Sequence, residues 1–160
     1  MLEPVVEFNF ASILQINQAA QPGVVSLSLL ELSQIKKTAT VFCALKDGSS
    51  CRAYVIAYDS ESTYEGEEFR WLQKHVPEKF LYIDQVAVAE DLRGRGIGSS
   101  VYEFIERFAV MNDFGSLTCE VNRKPPNPNS LAFHRRRGFV EISQIDVRDG
   151  RQVSLMKKSL

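Results

Sequence analysis

Hydrophobic and polar positions regroup along the 160-residue chain in a readable order. Val5, Val6 and Phe8 predict a short first strand. Phe10, Ile13, Leu14 and Asn17 then recur at three-and-four spacing, which predicts a helix over 10–20, broken by Gln21-Pro22-Gly23. A second helix fits Leu29 to Lys37, with Ser28 as its cap and Glu31 three residues on. Thr38 to Leu45 and Cys51 to Tyr58 read as strands around the turn Lys46-Asp47-Gly48-Ser49, and so short a connection makes them antiparallel. Residues 59–79 carry no sheet pattern, although 67–76 fit a short helix around Phe69, Trp71 and Leu72.

The middle of the chain carries the strongest pattern. Phe80 to Val88 is an apolar, partly β-branched run that predicts a strand buried on both faces. Ile97, Val101, Phe104, Ile105 and Phe108 mark one face of a helix that Gly115 ends. Leu117 to Asn122 alternates as a strand. A stiff connector, Arg123 to Pro128, follows it. Asn127 is placed to cap a helix whose first residue is Pro128 and which Gly138 closes after Arg137. Phe139 to Arg148 and Gln152 to Lys157 form a terminal hairpin about Asp149-Gly150. This order predicts an α/β chain with a mixed sheet and helices on both faces.

Length and composition narrow the classes. At this length, residues 1–160 are expected to form a single domain. A net charge of −1 gives no bulk electrostatic reason to bind nucleic acid or a membrane surface. No signal-type leader and no apolar run near membrane-spanning length is read, so a cytoplasmic protein is expected. Cys43, Cys51 and Cys119 are scattered, as are His75 and His134, so no metal site is expected. Each cysteine lies in a strand-like run and reads as a small buried hydrophobe.

Between the central strand and helix lies Arg93-Gly94-Arg95-Gly96-Ile97-Gly98, followed by Ser99 and Ser100. A helix start leaves N–H groups without partners and carries partial positive charge. Glycines let a backbone approach an anion closely, and Arg93 and Arg95 can add charge-assisted bonds. Strand, glycine loop and helix therefore suit a phosphate ligand. The ATP-type string G-x-x-x-x-G-K-[ST] does not occur. The dinucleotide fingerprint would need glycine at Ser99, although Glu120 lies near the spacing of its acid, so a nicotinamide dinucleotide stays a rival ligand.

Arg93-x-x-Gly96-x-Gly98 after Val86-Ala87-Val88 resembles the acetyl-CoA signature of the GNAT superfamily of N-acetyltransferases. Asn127-x-x-Ser130-x-x-Phe133-His134-x-x-x-Gly138-Phe139 resembles its second motif, with histidine where the family has tyrosine. The resemblance implies a mostly antiparallel central sheet, acetyl-CoA as co-substrate and an amine as acceptor. It also implies that Val86, Ala87 and Val88 bond the pantetheine arm through their backbone. Arg93, Gly94, Arg95, Gly96, Ile97, Gly98 and Ser99 would hold the diphosphate, and Asn127 would also reach the pantetheine. A homodimer paired through terminal strands stays open.

Acyl transfer to an amine needs a base, because an alkylammonium with a pKa near about 10.4 cannot attack. The carbonyl oxygen must be stabilised and the leaving thiolate protonated. Glu120 is one candidate base, since an acid on the inner run of a sheet asks for a reason. The alternative is an ion pair with an arginine of 135–137. Asp84 is the second candidate, with Arg52 or Lys79 as alternative partner. His134 sits at the family's tyrosine position, which implies a role at the coenzyme A sulfur as acid, base or hydrogen-bond partner. Asn17 and Gln18 read as either substrate contacts or a surface polar pair. The acids of 59–68 suit either a cationic acceptor or a solvated surface. A second functional reading is a non-catalytic acyl-CoA sensor or interaction module.

Overall fold

The computed structural model describes residues 1–160 and contains seven strands and five α-helices. In chain order these are β1 (Leu2–Pro4), α1 (Phe10–Ala20), α2 (Leu29–Thr38), β2 (Val41–Asp47), β3 (Ser50–Asp59), α3 (Glu67–His75) and β4 (Phe80–Val88). They continue as α4 (Ile97–Met111), β5 (Ser116–Lys124), α5 (Pro128–Arg136), β6 (Val140–Asp146) and β7 (Gln152–Ser159). The strand order is β1-β2-β3-β4-β5-β7-β6, a mixed, mostly antiparallel sheet as expected. The chain divides into two compact units, Met1–Tyr58 with Asp84–Phe108, and Asp59–Ile83 with Ala109–Leu160, so β4 contributes its first half to the second unit and its second half to the first.

In the first unit the hairpin β2–β3 closes through Gly48-Ser49, with Asp47 opposite Ser50 and Gly48 at φ +59°. A two-residue turn of this kind needs positive φ, which glycine adopts without steric penalty. Ala53 to Tyr58 are all buried, so β3 is covered on both faces. The first strand is not where Val5, Val6 and Phe8 predicted it. Leu2–Pro4 pairs with β2, Glu7–Asn9 forms a 3-10 turn, and Phe8 is 77% exposed. The apolar triplet was too short to fix its own register. α2 carries the predicted capping box: Glu31 N–H donates to Ser28 Oγ at 3.2 Å, and Ser28 N–H to the Glu31 carboxylate at 2.7 Å.

Asn17, read as a possible surface residue, is instead the buried centre of a polar network. Its Nδ2 lies 2.9 Å from Val25 O, 3.1 Å from Tyr54 Oη and 3.1 Å from Gln85 Oε1. Its Oδ1 accepts from Leu27 N–H at 3.0 Å. Tyr54 donates to Gln85 Oε1 at 2.8 Å, and Gln85 donates to Val25 O at 3.0 Å. The connection from α1 to α2 is thereby fastened to β3 and to the second half of β4. Gln18 is exposed and takes no part.

In the second unit β4 pairs in parallel with β5, from Phe80 opposite Ser116 to Ile83 opposite Cys119. Phe69 of α3 packs edge-on against Phe80 at 6.0 Å and tilted against Tyr82 at 5.5 Å. β7 pairs antiparallel with both β5 and β6. A register shift between Asn122 and Lys124 bends β5 there. α4 ends at Met111, four residues before the predicted Gly115, and Asp113 takes the left-handed conformation at φ +60°. Aspartate tolerates that region, so no glycine is needed at this end.

Replacing Asn17 by alanine removes one partner from several buried polar groups at once. We expect a loss of about 2–3 kcal/mol of stability, since each orphaned group costs about 1–3 kcal/mol. Urea unfolding followed by circular dichroism checks this, and an unchanged midpoint would mean that the network is dispensable.

Candidate active site

The glycine loop is built entirely within the first unit. Ala89 N–H donates to Arg52 O at 2.8 Å, which fixes the end of β4 on the irregular stretch of β3. A 3-10 turn over Glu90–Leu92, absent from the sequence-based expectation, leads into the loop. Gly94 and Gly96 stand at φ +73° and +81°, where an L side chain would be strained. A Cβ at either would meet nothing within 4 Å, so it is the backbone conformation, not crowding, that calls for glycine. α4 then starts at Ile97, and Ser100 N–H bonds Gly96 O at 3.1 Å. The N–H groups of Ile97, Gly98 and Ser99 precede any carbonyl of their own helix that could accept them. Open backbone at positive φ, a helix start and the exposed Arg95 together fit a diphosphate.

Arg93 also has a role within the scaffold. Its Nε donates to Val88 O at 3.2 Å and its Nη2 to Ala19 O at 3.0 Å, so it ties the loop to β4 and to the end of α1. Two of its five N–H donors are thereby taken by carbonyls. β4 is also not buried throughout: Phe80 to Ile83 are, whereas Asp84, Val86 and Val88 are half-exposed between the buried Gln85 and Ala87. The half-exposed residues share one face of the strand by its two-residue period.

Asp84 lies on that face. Neither alternative partner holds it, because Arg52 pairs with Asp91, and Lys79 donates to Asn112 O at 3.0 Å and lies 3.9 Å from Asp59. The Asp84 charge is felt by two buried phenols. Burial first, then the Asp84 charge, push the Tyr58 hydroxyl up; burial and Asp84 also push Tyr54 up, against its Asn17 hydrogen bond. Both tyrosines stay protonated donors. Neither tyrosine stands out in the sequence, since each reads as an ordinary strand aromatic.

In the second unit, Glu120 is paired with an arginine that the sequence reading did not name. Arg151, in the turn between β6 and β7, places Nη1 3.6 Å from Glu120 Oε1. Arg135 and Arg136 are exposed, and Arg137 lies over the Phe133 ring at 5.9 Å. The acids of 59–68 are not simply solvated either. Glu68 is buried and meets Arg151 Nη2 at 3.0 Å, while Glu67 accepts from Arg148 N–H at 3.0 Å.

α5 forms as predicted: Asn127 Oδ1 accepts from Ser130 N–H at 3.3 Å, and Gly138 stands at φ +89°. Asn127 therefore spends its oxygen on the cap and keeps its amide N–H groups for other partners. His134 is buried, its ring edge-on to Phe133 at 5.4 Å and to Phe139 at 5.3 Å. Nδ1 lies 2.7 Å from Ser130 O, and only a protonated Nδ1 can donate there. Burial, against that bond and with help from the Arg137 charge, holds its pKa below the usual histidine value. The neutral ring then carries its lone pair on Nε2. Cys119 is fully buried; burial and then the Glu120 charge push its thiol far up, which removes it as a nucleophile.

The chain matches the acetyltransferase (GNAT) family model over residues 10–139. It belongs to that family. With membership comes acetyl-CoA-dependent N-acetyl transfer as the reaction class. No curated protein sequence matches the chain. Solved structures do. Chaetomium thermophilum Naa20 in complex with a bisubstrate analogue is 18% identical, with a TM-score of 0.79 over 100% of this chain and 86% of its own. A ribosomal-protein-alanine N-acetyltransferase from Brucella melitensis is 20% identical, with a TM-score of 0.70 over 100% and 99%. The NatC complex bound to Gag peptide and CoA gives 16%, 0.72, and 100% and 98%. Likeness at these identities shows the shared fold. No helix is long and apolar enough to cross a membrane.

The histidine gives a pH prediction. Its folded pKa is depressed, so its contribution to stability is fully present above the unfolded value near about 6.5 and is lost as pH falls from there through the folded value. Urea midpoints should drop less steeply between pH 7.5 and 5 in His134→Gln than in the parent. Parallel curves would show that His134 does not titrate between the two states.

Proposed function

We propose that the protein transfers acetyl directly from acetyl-CoA to a primary amine of a small molecule, peptide or protein. The observation that carries this reading is the open glycine loop at the start of α4, inside a chain of the acetyltransferase family. In it, residues 1–160 act as one catalytic domain. The backbone of Val86, Ala87 and Val88 lies along the pantetheine. The amides of Gly94 to Ser99 hold the diphosphate, with Arg95 adding charge. Arg93 orders the loop from behind, and Asn127 reaches the pantetheine with its N–H groups.

When bound, acetyl-CoA supplies the acetyl thioester. Glu120 takes the proton that the acceptor ammonium must lose before its nitrogen can attack. Asp84 is the second candidate for that task, acting directly or through a water. His134 stands where the family resemblance puts a donor to the sulfur. Its Nδ1–H is committed to Ser130 O, so Nε2 acts there as a hydrogen-bond acceptor, or as a donor only after proton uptake that burial opposes. That departure is also the observation favouring the second reading, an acyl-CoA-binding module without turnover. The first reading requires no metal, nucleic acid or membrane. It places the enzyme in the cytoplasm, in keeping with three unpaired thiols, and is compatible with a homodimer.

Thiol release from acetyl-CoA is measured against a panel: a peptide with a free N-terminus, lysine, spermidine, a free amino acid and an aminoglycoside. Release with one acceptor or more is expected. Saturable coenzyme A binding in calorimetry without release for any of them would favour the second reading, and NADH binding without acetyl-CoA binding would overturn both.

Glu120→Gln and His134→Ala are expected to lower turnover by about tenfold to a thousandfold, the range of a proton-transfer group, with acetyl-CoA affinity changed less than threefold. Unchanged rates in steady-state kinetics would remove both roles. Gly96→Glu should abolish coenzyme A binding, because it adds strain at φ +81° and a negative charge where the diphosphate sits. Calorimetry showing normal affinity would remove the loop assignment.

A further inference from the structure

Arg151 follows the turn at Asp149-Gly150 and is the meeting point of the ion pairs in the second unit. Its own turn aims it. Gly150 stands at φ +90°, and Asp149 Oδ1 accepts the Arg151 N–H at 3.0 Å. Asp149 Oδ2 accepts from Nε at 2.6 Å, so backbone and side chain are held by the same carboxylate. The rest of the guanidinium reaches over β5. Nη1 donates to Asn122 Oδ1 at 3.1 Å and lies 3.6 Å from Glu120 Oε1. Asn122 and Glu120 are two residues apart and share a face of the strand. Nη2 donates to Glu68 Oε1 at 3.0 Å, from the first turn of α3.

The cluster is sheltered. The side chains of Arg151, Glu120 and Glu68 are 18%, 13% and 7% exposed. Burial works against the charge on Arg151, but the Asp149 hydrogen bond and the charges of Glu120, Glu68 and Asp149 outweigh it and push its pKa up. Arg151 therefore remains a cation at every accessible pH. Its closest bonds go to Asp149, Glu68 and Asn122, while Glu120 meets the guanidinium at a distance of charge attraction rather than a full hydrogen bond. An opposite charge at that distance favours the ionised carboxylate in a sheltered place, without the bidentate hydrogen bonding to Arg151 that would weaken it most as a base.

We infer that Arg151 is the positioning residue of Glu120: it keeps the carboxylate ionised and aimed, and through Glu68 it couples that carboxylate to α3. The inference rests on Glu120 as base in the reading above, yet its electrostatic half can be tested without catalysis. Charged and titratable groups of this unit on the neighbouring elements include the Glu67–Arg148 pair beside Glu68, the Arg123–Glu141 pair at the bend of β5, Arg137 after α5, and the buried Cys119 thiol, which feels the Glu120 charge. Asp84, on β4, is an acid in its own right and enters the test as Asp84→Asn.

The test is a carbon-13 carboxyl titration of Glu120 in the full chain, its signal assigned by loss in Glu120→Gln. Arg151→Met should move the Glu120 midpoint up by about one pH unit, since a nearby opposite charge is worth about 1–3 units. Arg151→Lys, which keeps the charge, should hold the midpoint near its parent value. Glu68→Gln removes a rival for the guanidinium and should move the midpoint down. Asp84→Asn in the Arg151→Met background should leave the upward shift in place. If Arg151→Met does not fold, the opposite displacement in Glu68→Gln and its absence in Arg151→Lys still decide. A Glu120 midpoint that stays still in Arg151→Met and Glu68→Gln overturns the inference. In thiol release with the acceptor found by the panel, the acid limb of kcat/KM should follow the same shifts. A carboxyl midpoint that moves while the acid limb does not overturns the role in catalysis. Full activity in Glu120→Gln overturns the base reading itself and leaves the measured charge coupling intact.

Discussion

Every α-helix leaves its first N–H groups without acceptors, and in this protein the helix that matters leaves them beside glycines held in a turn that other residues rarely adopt. Gly94 and Gly96 hold the chain at positive φ immediately before α4, where a Cβ would meet strain but no neighbour. The result is a concentration of donors in open space, produced by backbone alone. Its position is set by β4, whose end is bonded to β3 through Arg52 and whose loop is braced by Arg93 against Val88 and Ala19. The arginine that opens the motif thus braces the scaffold with two of its five N–H donors, and the loop gains a fixed shape.

The two units solve the problem of buried polarity in different ways. In the first, uncharged groups satisfy one another: Asn17, Tyr54, Gln85 and two backbone groups form a closed set of hydrogen bonds. Such a set costs little while complete and much when one member is lost. In the second, charge is balanced by charge. Arg151 stands among Asp149, Glu68 and Glu120. Buried ion pairs seldom add much stability, because desolvation offsets the attraction. His134 is governed by the same physics, since burial and a committed Nδ1 fix it as a neutral ring.

Most elements were legible because their signals are local. The capping box at Ser28 and Glu31, the Asn127-Pro128 start of α5, the glycine turns and the apolar run of β4 each follow from a few adjacent residues. The misread places lack such a signal. β1 is three residues long and is defined by its partner rather than by its own pattern. Asn17 has helical spacing like any polar residue of α1, and nothing in its neighbours announces Tyr54 or Gln85. Arg151 follows an Asp-Gly turn, where an exposed side chain is the ordinary expectation.

The sequence by itself determined the glycine loop, its place between a strand and a helix, the histidine at the second motif and so the family and its reaction class. These depend on spacing over a few residues, and spacing survives without knowledge of the fold. The tertiary structure alone decided how those residues are charged and held: that Arg93 braces, that His134 is neutral with its proton on Nδ1, and that Glu120 meets Arg151 from the turn before β7. Burial and ion pairing are properties of residues far apart in the chain, which only folding brings within a few ångströms.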